Sequence, residues 1–477
     1  MAIGPIQLIR QATPGQRRTL LAAALGWALD AFDAMLYALV LALLMREFGM
    51  SKTAAGLLGT LTLLASGIGG VGFGFLADRI GRKRALMASI LTYSACSFAS
   101  GLSTSIGMLA VARFVLGLGM GGEWNTGATL VAESWPTEFR AKAISIVQSS
   151  WALGFAAAAL VAGPVARYFG WRAVFFVGIL PAVVTLWIQR SVPESEMWEE
   201  RNVSSGPRPP AAKAASDVSL VTARLEAAPL QSQAEQNHGA PSQTNCGQKH
   251  GTNFQSSLKP KRGTSLQSSS GQDDGSFAQI FRPPYVRHTF ALLLFNFFGM
   301  FAWWGLFTWL PPYLSLPVQQ GGRGFGVMGM TTLMVVLNLC GMFPGYLSFG
   351  WVADHMGRRN AFLLYTLAAA VLIPAYAAAR SAGVLLVLGT LVAFFGTGIF
   401  SGSGIMGSEI FPTAVRARAL GFTYNGARTM SSLAPVVIGR VGQAKGLSWA
   451  FYLCAAGYLL AALMTTQLPE TKGKRLE

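Results

Sequence analysis

The chain has 477 residues, of which 52% are hydrophobic and only 12% are charged, with a mean hydropathy of +0.44. About a quarter of a soluble protein's residues are charged, and one soluble core could not bury this much apolar sequence. The formal charge of +17 suggests nucleic acid as one partner. However, the Lys and Arg residues lie mostly between apolar runs, which is typical of cationic loops at a membrane. We therefore expect a lipid bilayer as partner and no nucleic acid.

Twelve apolar runs, called spans 1–12 here, approach or exceed the roughly 20 residues that a helix needs to cross a bilayer. Residues 199–284 separate the sixth run from the seventh, and their Ser, Gln, Pro, Gly and Lys content predicts a disordered cytoplasmic linker. The runs are 20–45, 54–77, 85–103, 106–132, 142–166, 171–190, 287–314, 327–353, 361–379, 382–409, 418–440 and 448–468.

These runs predict an all-α membrane protein with twelve transmembrane helices in two six-helix bundles, at residues 20–198 and 285–468. Residues 1–19 and 469–477 are expected to be tails. With both termini cytoplasmic, the inner segments hold sixteen Lys and Arg residues and the outer loops hold eight, which favours this orientation. We expect a monomer in a bacterial inner membrane.

Span 1 carries Asp30 and Asp33 inside its apolar run. Residues three apart share a helix face, and two carboxylates that close repel each other in a low dielectric, which favours uptake of a proton. The simpler interpretation is that one acid pairs with an arginine, most plausibly Arg113 of span 4. Both interpretations stay open at this point.

The pattern does not favour an enzyme. His238 and His250 lie in the linker, and neither a nucleophile with its base nor a set of metal ligands is found in the sequence. The four Cys residues have no metal-ligand spacing, so neither a disulfide nor a metal is expected. We predict no cofactor.

The sequence repeats itself at a fixed offset. Residues 74–84 (GFLADRIGRKR) recur at 350–360 (GWVADHMGRRN), and 133–143 (ESWPTEFRAKA) recur at 409–419 (EIFPTAVRARA). VPES at 192–195 recurs as LPET at 468–471, and all three offsets are 276. Each bundle is therefore one copy of a six-helix unit, and such pseudo-two-fold repeats are a transporter architecture.

The motif from Gly74 to Lys83 resembles the loop 2–3 signature of the major facilitator superfamily, and Glu133 with Arg140 resembles its motif at the end of helix 4. LGWALDAFD at 25–33, GEWNTGATLVAESWP at 122–136 and LGFTYN at 420–425 resemble the sialate:proton symporter family, which includes sialic acid and monocarboxylate carriers. The aromatic-acid:proton symporters have a similar Asp pair. The resemblance implies secondary transport of an organic anion with protons.

Charges that both copies keep are expected to serve the scaffold as ion pairs that hold a closed inner gate, although solvated loop charges that fix topology would look the same. The resemblance also implies gating for these positions. They are Asp78, Arg82, Glu133, Arg140, Asp354, Arg358, Glu409 and Arg416.

Five charges inside spans have no charged counterpart in the other copy, and each costs at least roughly 2.5–3.5 kcal/mol at bilayer depth, so each needs a partner, water or a function. We predict that Asp30, Asp33, Arg113 and Glu123 couple protons, and the resemblance implies the same for Arg113. Structural ion pairs or hydrogen bonds are the alternative. Arg428 is the fifth, and its planar guanidinium suits a carboxylate.

Arg428 is the predicted anion site, with a salt bridge across the cleft as its alternative. Amides inside spans must hydrogen-bond something, and aromatic residues of span 7 line a cavity or anchor the interface. The further predicted substrate residues are Asn425, Tyr424, Asn338, Asn296 and Trp304. Sialic acid carriers have an arginine in helix 2, where this chain has Ser66, and this difference suggests a smaller or different carboxylate.

The sequence thus favours proton-coupled uptake of a small organic anion by alternating access. The alternatives are a proton-independent sugar or metabolite facilitator, a drug:proton antiporter and a membrane sensor that does not transport.

Overall fold

The computed structural model describes residues 12–195, 198–199 and 277–472. The predicted disordered linker, 199–284, lies almost wholly outside this part of the chain. The described residues are helical and contain no strand, which confirms the predicted all-α class. Nine helices among them are long and apolar enough to cross a membrane; the count of twelve stays a prediction.

The first bundle is built from six helices. Helix α1 begins earlier than predicted because Thr13 caps it: Gln16 N–H donates to Thr13 Oγ1 at 3.2 Å, and Thr13 N–H donates to the Gln16 side chain. Helix α5 contains a break at Gly170, where φ is +79°, and so covers span 5 and the start of span 6. The bounds are α1 Pro14–Glu47, α2 Lys52–Ile80, α3 Arg82–Gly101, α4 Ile106–Ser134, α5 Thr137–Val177 and α6 Pro181–Ser191.

The second bundle repeats this order with two interruptions. A π turn at Leu337–Met342 divides span 8 into α8 and α9, and residues 432–433 divide span 11 into α12 and α13. Neither interruption was predicted. The bounds are α7 Val286–Ser315, α8 Gly326–Val336, α9 Phe343–Met356, α10 Arg358–Ala378, α11 Ala382–Ile410, α12 Thr413–Ser431, α13 Ala434–Lys445 and α14 Leu447–Thr465, with short 3₁₀ turns at Phe277–Phe281 and Val318–Gln320.

Glycines let the helices approach closely. A side chain at Gly121 of α4 would overlap the Ser66 carbonyl of α2, and one at Gly154 of α5 would overlap the Ala28 carbonyl of α1. The glycines of α4 and α5 therefore serve helix packing at these two contacts.

The two bundles meet tightly where α1 ends and α2 begins, which we call the Lys52 end. Lys52 Nζ donates to the carbonyls of Gln320 at 2.9 Å and Gly442 at 3.3 Å, and its backbone N–H donates to Gln443 Oε1 at 2.9 Å. One turn further along α2, Gly56 lies so close to Pro435 that a Cβ would overlap the proline carbonyl. The Lys52 end is therefore closed.

The opposite end, where α2 ends and α3 begins, is called the Asp78 end. Arg82 pairs with Asp78 at 2.9 Å and with Glu133 at 3.2 Å, all within the first bundle. Arg358 pairs in the same way with Asp354 at 2.6 Å and Glu409 at 3.2 Å, all within the second bundle. Among the described residues, the ion pairs at this end join spans of one bundle and do not join the two bundles.

The last helix of each bundle is fastened to the same network. Glu194 accepts from Lys83 N–H at 3.0 Å, and Glu470 accepts from Arg358 N–H at 2.9 Å and Arg359 N–H at 3.2 Å. These carboxylates replace the side-chain caps that α3 and α10 lack, because each helix begins after a glycine with positive φ. The VPES and LPET repeats thus act as helix caps supplied from a distance.

Candidate functional site

The two acids of span 1 interact with each other electrostatically, but their other neighbours differ. Asp33 Oδ1 accepts a hydrogen bond of 2.9 Å from Ser97 of α3. The same oxygen lies so close to Gly178 that a Cβ at that glycine would overlap it. Arg113 of α4 interacts electrostatically with Asp33, and its guanidinium lies 4.8 Å from the centre of the Tyr37 ring. Asp33 and Arg113 are therefore partners inside the first bundle.

Asp30 is directed towards the other bundle. It interacts electrostatically with Arg428 of α12, and Glu123 of α4 interacts with both. All three residues are buried, yet both Asp30 oxygens, Glu123 Oε2 and Arg428 Nη2 have no hydrogen-bond partner. We call Asp30, Glu123 and Arg428 the central charge cluster. Two acids of the first bundle thus lie within electrostatic range of one cation of the second, without forming an ion pair within 4 Å in the described part of the chain.

A cavity of about 280 Å³ connects this cluster with the Asp78 end. Arg428 and Asn425 line it from the second bundle, and Asn125 lines it from α4, with its amide donating to the Gly70 carbonyl at 2.9 Å. The α2 face contributes glycines, so the wall there is backbone and small side chains. The remaining lining residues are Ser66, Gly67, Gly70, Val71, Gly74, Phe75, Asp78 and Gly121.

A smaller cavity of about 20 Å³ also reaches Arg428, and we call it the aromatic chamber. Four of its walls are indoles, and Trp151 lies 4.8 Å from Trp27, 6.0 Å from Trp303 and 5.9 Å from Trp304 between ring centres. The indole N–H groups of Trp27, Trp151 and Trp303 have no hydrogen-bond partner. The other lining residues are Gln148, Met300, Tyr346, Phe400, Tyr424 and Arg428. The chamber offers aromatic faces with unpaired donors.

Several residues of the chamber were missed because the comparison between the two copies of the repeat considered only charged residues. The same offset of 276 relates Trp27 to Trp303 and Gln148 to Tyr424. Gln148 of the first bundle and Tyr424 of the second line the same chamber. Residues that the repeat relates thus meet near the axis between the bundles, and this is the signal that would have found them.

The predicted substrate residues are not all brought together. Tyr424 and Trp304 line the aromatic chamber, and Asn425 lines the larger cavity. Asn296 Oδ1 accepts from Ser403 at 2.7 Å, and Asn338 Nδ2, in the π turn, donates to the Met334 carbonyl of α8 at 2.7 Å. Neither of these two amides lines the two cavities, so substrate contact by them stays a prediction without geometric support.

The predicted gating residues lie in two equivalent networks. Ser195 donates to Glu133, and Thr471 donates to Glu409 at 2.5 Å, so each network also includes the segment after the last helix of its bundle. Arg140 and Arg416 lie in the first turns of α5 and α12, and Arg416 Nε donates to the Phe411 carbonyl at 3.1 Å. In this conformation the networks fasten each bundle internally.

The carboxylate of Glu470 lies outside the spans. Partial burial raises its pKa, but backbone N–H donors from Lys472, Arg358, Arg359 and Thr471 outweigh burial, so the pKa is lower than usual. This supports its role as a charged helix cap. Among the described residues, no group of His, Cys, Asp and Glu side chains is arranged to hold a metal ion.

Relatives with assigned names match almost the whole chain. A probable 4-methylmuconolactone transporter of Cupriavidus pinatubonensis is 30% identical, over 98% of this chain and 93% of its own length. The sialic acid transporter NanX of Escherichia coli is 28% identical, over 96% of both chains. The cis,cis-muconate transport protein of Acinetobacter baylyi is 27% identical, over 91% of this chain and 90% of its own. These relatives are transporters and not enzymes.

A solved structure shares the fold. The crystal structure of a D-xylose-proton symporter matches with a TM-score of 0.67 at 20% identity, covering 96% of this chain and 99% of that chain. The model of the Major Facilitator Superfamily matches residues 23–348 and 322–477. Together with the two helical bundles and the repeated Asp78 and Asp354 networks, this makes the chain a multi-pass membrane transporter that belongs to the Major Facilitator Superfamily.

Proposed function

We propose that the chain imports a small organic carboxylate together with protons, by alternating access. The observation that carries this proposal is the central charge cluster, in which one arginine of the second bundle faces two acids of the first. A pair of charges on opposite bundles is sensitive to their relative movement, which alternating access requires.

The cluster suggests how the proton and the anion are coupled. Arg428 is shared by two carboxylates, so a substrate carboxylate has to compete with them for the guanidinium. A proton bound at Asp30 or Glu123 removes one competitor and frees Arg428 for bidentate binding. One carboxylate and one proton then move together without net charge. Asp33 and Arg113 form a second candidate proton site deeper in the first bundle.

The aromatic chamber suggests the body of the substrate. Indole faces suit a planar, conjugated or aromatic group, and the unpaired N–H groups of Trp27, Trp151 and Trp303 suit the acceptor oxygens of a carboxylate or lactone. A polyhydroxylated acid would need several acceptors as well, and few are found in these walls. At about 20 Å³ the chamber has room for about one water in this conformation, so it has to widen before it admits a ring. Its walls then favour an aromatic or unsaturated acid over sialic acid.

The closed Lys52 end and the cavity at the Asp78 end support an orientation for release. If both termini are cytoplasmic, as the Lys and Arg distribution predicts, the Asp78 end faces the cytoplasm. Substrate would then leave past Asn125 and Asn425 along the glycine face of α2. We place the carrier in a bacterial inner membrane.

The test is uptake into proteoliposomes under an inward proton gradient, with and without a protonophore. The panel holds benzoate, nicotinate, cis,cis-muconate, 4-methylmuconolactone, lactate, sialic acid and glucose. Protonophore-sensitive accumulation of an unsaturated or aromatic acid is expected. Accumulation should be lost in Asp30→Asn, while Asp354→Asn, which changes an acid of the Asp78 end, should slow transport and keep the coupling. Uptake of glucose alone, unaffected by the protonophore, would refute the proposal.

A further inference from the structure

A third cavity lies between the two bundles, and we call it the Arg113 chamber. Its volume is about 20 Å³, and its walls come from α1, α2 and α4 of the first bundle and from α7 of the second. Trp304 of α7 lines both this chamber and the aromatic chamber, so the two cavities are neighbours. Among the described residues that line it, Arg113 is the one that carries a charge. The proposed transport cycle assigns no ligand to this cavity.

Arg113 lines the chamber with unused hydrogen-bond donors. The residue is 2% exposed, and its Nε and Nη1 atoms have no hydrogen-bond partner. Its guanidinium lies 4.8 Å from the centre of the Tyr37 ring, which is held in place because the Tyr37 hydroxyl donates to the Ala55 carbonyl at 2.6 Å. In the part of the chain that the structure describes, Arg113 forms no ion pair within 4 Å. A buried cation with unpaired N–H groups is costly, so these groups call for an acceptor.

The repeat supplies a comparison for this arginine. Tyr313 is the counterpart of Tyr37 at the offset of 276, and the guanidinium of Arg323 lies 4.7 Å from its ring centre. Arg323 Nη2 donates to the Ala377 carbonyl at 2.6 Å, and Arg323 lines none of the three cavities. Each bundle thus stacks an arginine on the corresponding tyrosine. The arginine of the second bundle has a backbone acceptor, whereas Arg113 has unpaired donors beside a cavity.

The Arg113 chamber lies between the aromatic chamber and the closed Lys52 end. Thr308, which lines it, is one turn beyond Trp304 on α7, in the direction of the Lys52 end. Gly59 lines it from α2, and a Cβ at that glycine would lie 3.2 Å from Pro435 Cβ of α13. Pro435 therefore covers the chamber on the side of the Lys52 end. A solute that enters when this end opens meets the Arg113 chamber before the aromatic chamber.

We propose that the Arg113 chamber is an entry site, where the carboxylate of the transported acid binds before it reaches Arg428. The walls belong to both bundles, so they separate when the Lys52 end opens. The chamber has room for about one water in the closed conformation, and it widens on opening to admit a carboxylate to the unpaired N–H groups of Arg113. The planar body of the acid then passes along Trp304 into the aromatic chamber. The inference rests on the carboxylate uptake proposed above.

The first test measures substrate affinity separately at the two ends of the carrier. Exchange is recorded in right-side-out and inverted membrane vesicles at equal pH on both sides, with labelled benzoate, nicotinate and cis,cis-muconate run in parallel. Labelling of Thr104→Cys, an exposed position at the Lys52 end, identifies the vesicles that present this end to the medium. In Arg113→Lys, the KM at the Lys52 end is expected to rise at least tenfold, because lysine keeps the charge but loses the planar set of donors. The KM at the Asp78 end is expected to stay within twofold.

Arg323→Lys is the matched control, because it changes the corresponding arginine–tyrosine stack outside the three cavities, and it should change neither KM. Arg428→Lys should raise the KM at both ends, because the routes from both ends lead to that residue. A structural or purely proton-coupling role of Arg113 predicts equal changes at the two ends. Equal changes in Arg113→Lys would therefore overturn the entry site.

The second measurement keeps Arg113 and therefore gives a result even if Arg113→Lys is unstable. Thr308→Cys is introduced into the chamber wall of Lys52→Met, in a protein without its native cysteines, and its rate of modification by a methanethiosulfonate reagent is recorded. The transported acid should slow this modification at least fivefold, and the protection should persist in Arg428→Lys. Protection that disappears in Arg428→Lys would mean that the acid acts from the central charge cluster, and it would overturn the entry site.

Failure of the proposed function gives a different result. If the unchanged carrier exchanges none of the three acids, both the proposed function and the entry site are overturned. If it exchanges an acid without any response to a pH gradient, the proton coupling is overturned, while a KM that rises only at the Lys52 end in Arg113→Lys still supports the entry site. Failure of the entry site alone leaves proton-driven uptake normal in the unchanged carrier and shifts both KM values together in Arg113→Lys.

Discussion

Replacing Lys52 by Met should open the Lys52 end. The substitution keeps the length of the side chain and removes the ammonium group that donates to Gln320 and Gly442 of the second bundle. The backbone bond from Lys52 N–H to Gln443 stays. The substitution therefore removes interactions that exist only in the conformation closed at this end, while the folds of the two bundles are left intact.

The magnitude follows from these two hydrogen bonds. A hydrogen bond from a charged donor contributes about 1.5–3 kcal/mol when buried, and an exposed charge contributes less than about 1 kcal/mol. Lys52 is half-buried and one of its bonds is long, so a combined loss of about 1.5 kcal/mol is reasonable between these limits. Because about 1.4 kcal/mol is a factor of ten, the ratio of open to closed molecules should rise about tenfold.

The assay is double electron–electron resonance with spin labels at Thr104→Cys and Ala382→Cys, in a protein without its native cysteines. Both positions are exposed and flank α4 and α11 at the Lys52 end. Lys445→Met, which removes an exposed lysine at the same end, is the matched control and should leave the distance distribution unchanged. A change of less than twofold in Lys52→Met, or an equal change in the control, would refute the latch.

Three further predictions use other contacts. Gly56→Ala should open the same end more strongly, because its Cβ would overlap the Pro435 carbonyl, whereas Gly72→Ala meets nothing within 4 Å and should have no effect in the same assay. Arg428→Lys keeps the positive charge but loses bidentate geometry, so binding of the transported acid, measured by calorimetry, should weaken about tenfold. The separate variant Asp30→Asn should still lose coupling. Unchanged affinity in Arg428→Lys would refute anion binding at this residue. Glu470→Gln should destabilise the carrier by about 1 kcal/mol above pH 5, measured as a lower melting temperature. The pKa of Glu470 is lowered in the folded state. The difference in melting temperature between the variant and the unchanged protein should therefore vanish as the pH falls through that pKa. A difference that grows with acidity would contradict the capping role.

The sequence predicted the all-α class because run length and a repeat at a constant offset are properties of the chain alone. The halves, the acidic and basic networks around Asp78 and Asp354, and the isolated charges all follow from these two signals. The early start of α1 was missed because its first turns are polar and depend on the Thr13 cap. The π turn in span 8 and the break in span 11 were missed because an apolar run looks the same whether its helix is regular or interrupted.

The site was predicted in part. Asp30 and Asp33 were expected to share one face, but residues three apart differ by about 60° around a helix. Near the boundary between bundle interior and cleft, this angle directs Asp33 to Ser97 and Asp30 towards Arg428. The partners of each acid depend on tertiary packing, which the sequence of span 1 does not contain. The tryptophans of the chamber look like ordinary interface anchors until the two bundles are seen together.

The glutamate caps of α3 and α10 have a consequence for the mechanics of the carrier. Glu194 and Glu470 each connect the segment after the last helix of a bundle to the third span. Arg82 and Arg358, next to these caps, each connect the second span to the fourth. The helices of one bundle are therefore held together by contacts within that bundle. If the carrier works by alternating access, as proposed above, a braced bundle would tilt as one piece, and a small rotation at the Lys52 end would become a wide displacement at the Asp78 end. A single lysine and a few glycines can therefore control a passage that lies far from them.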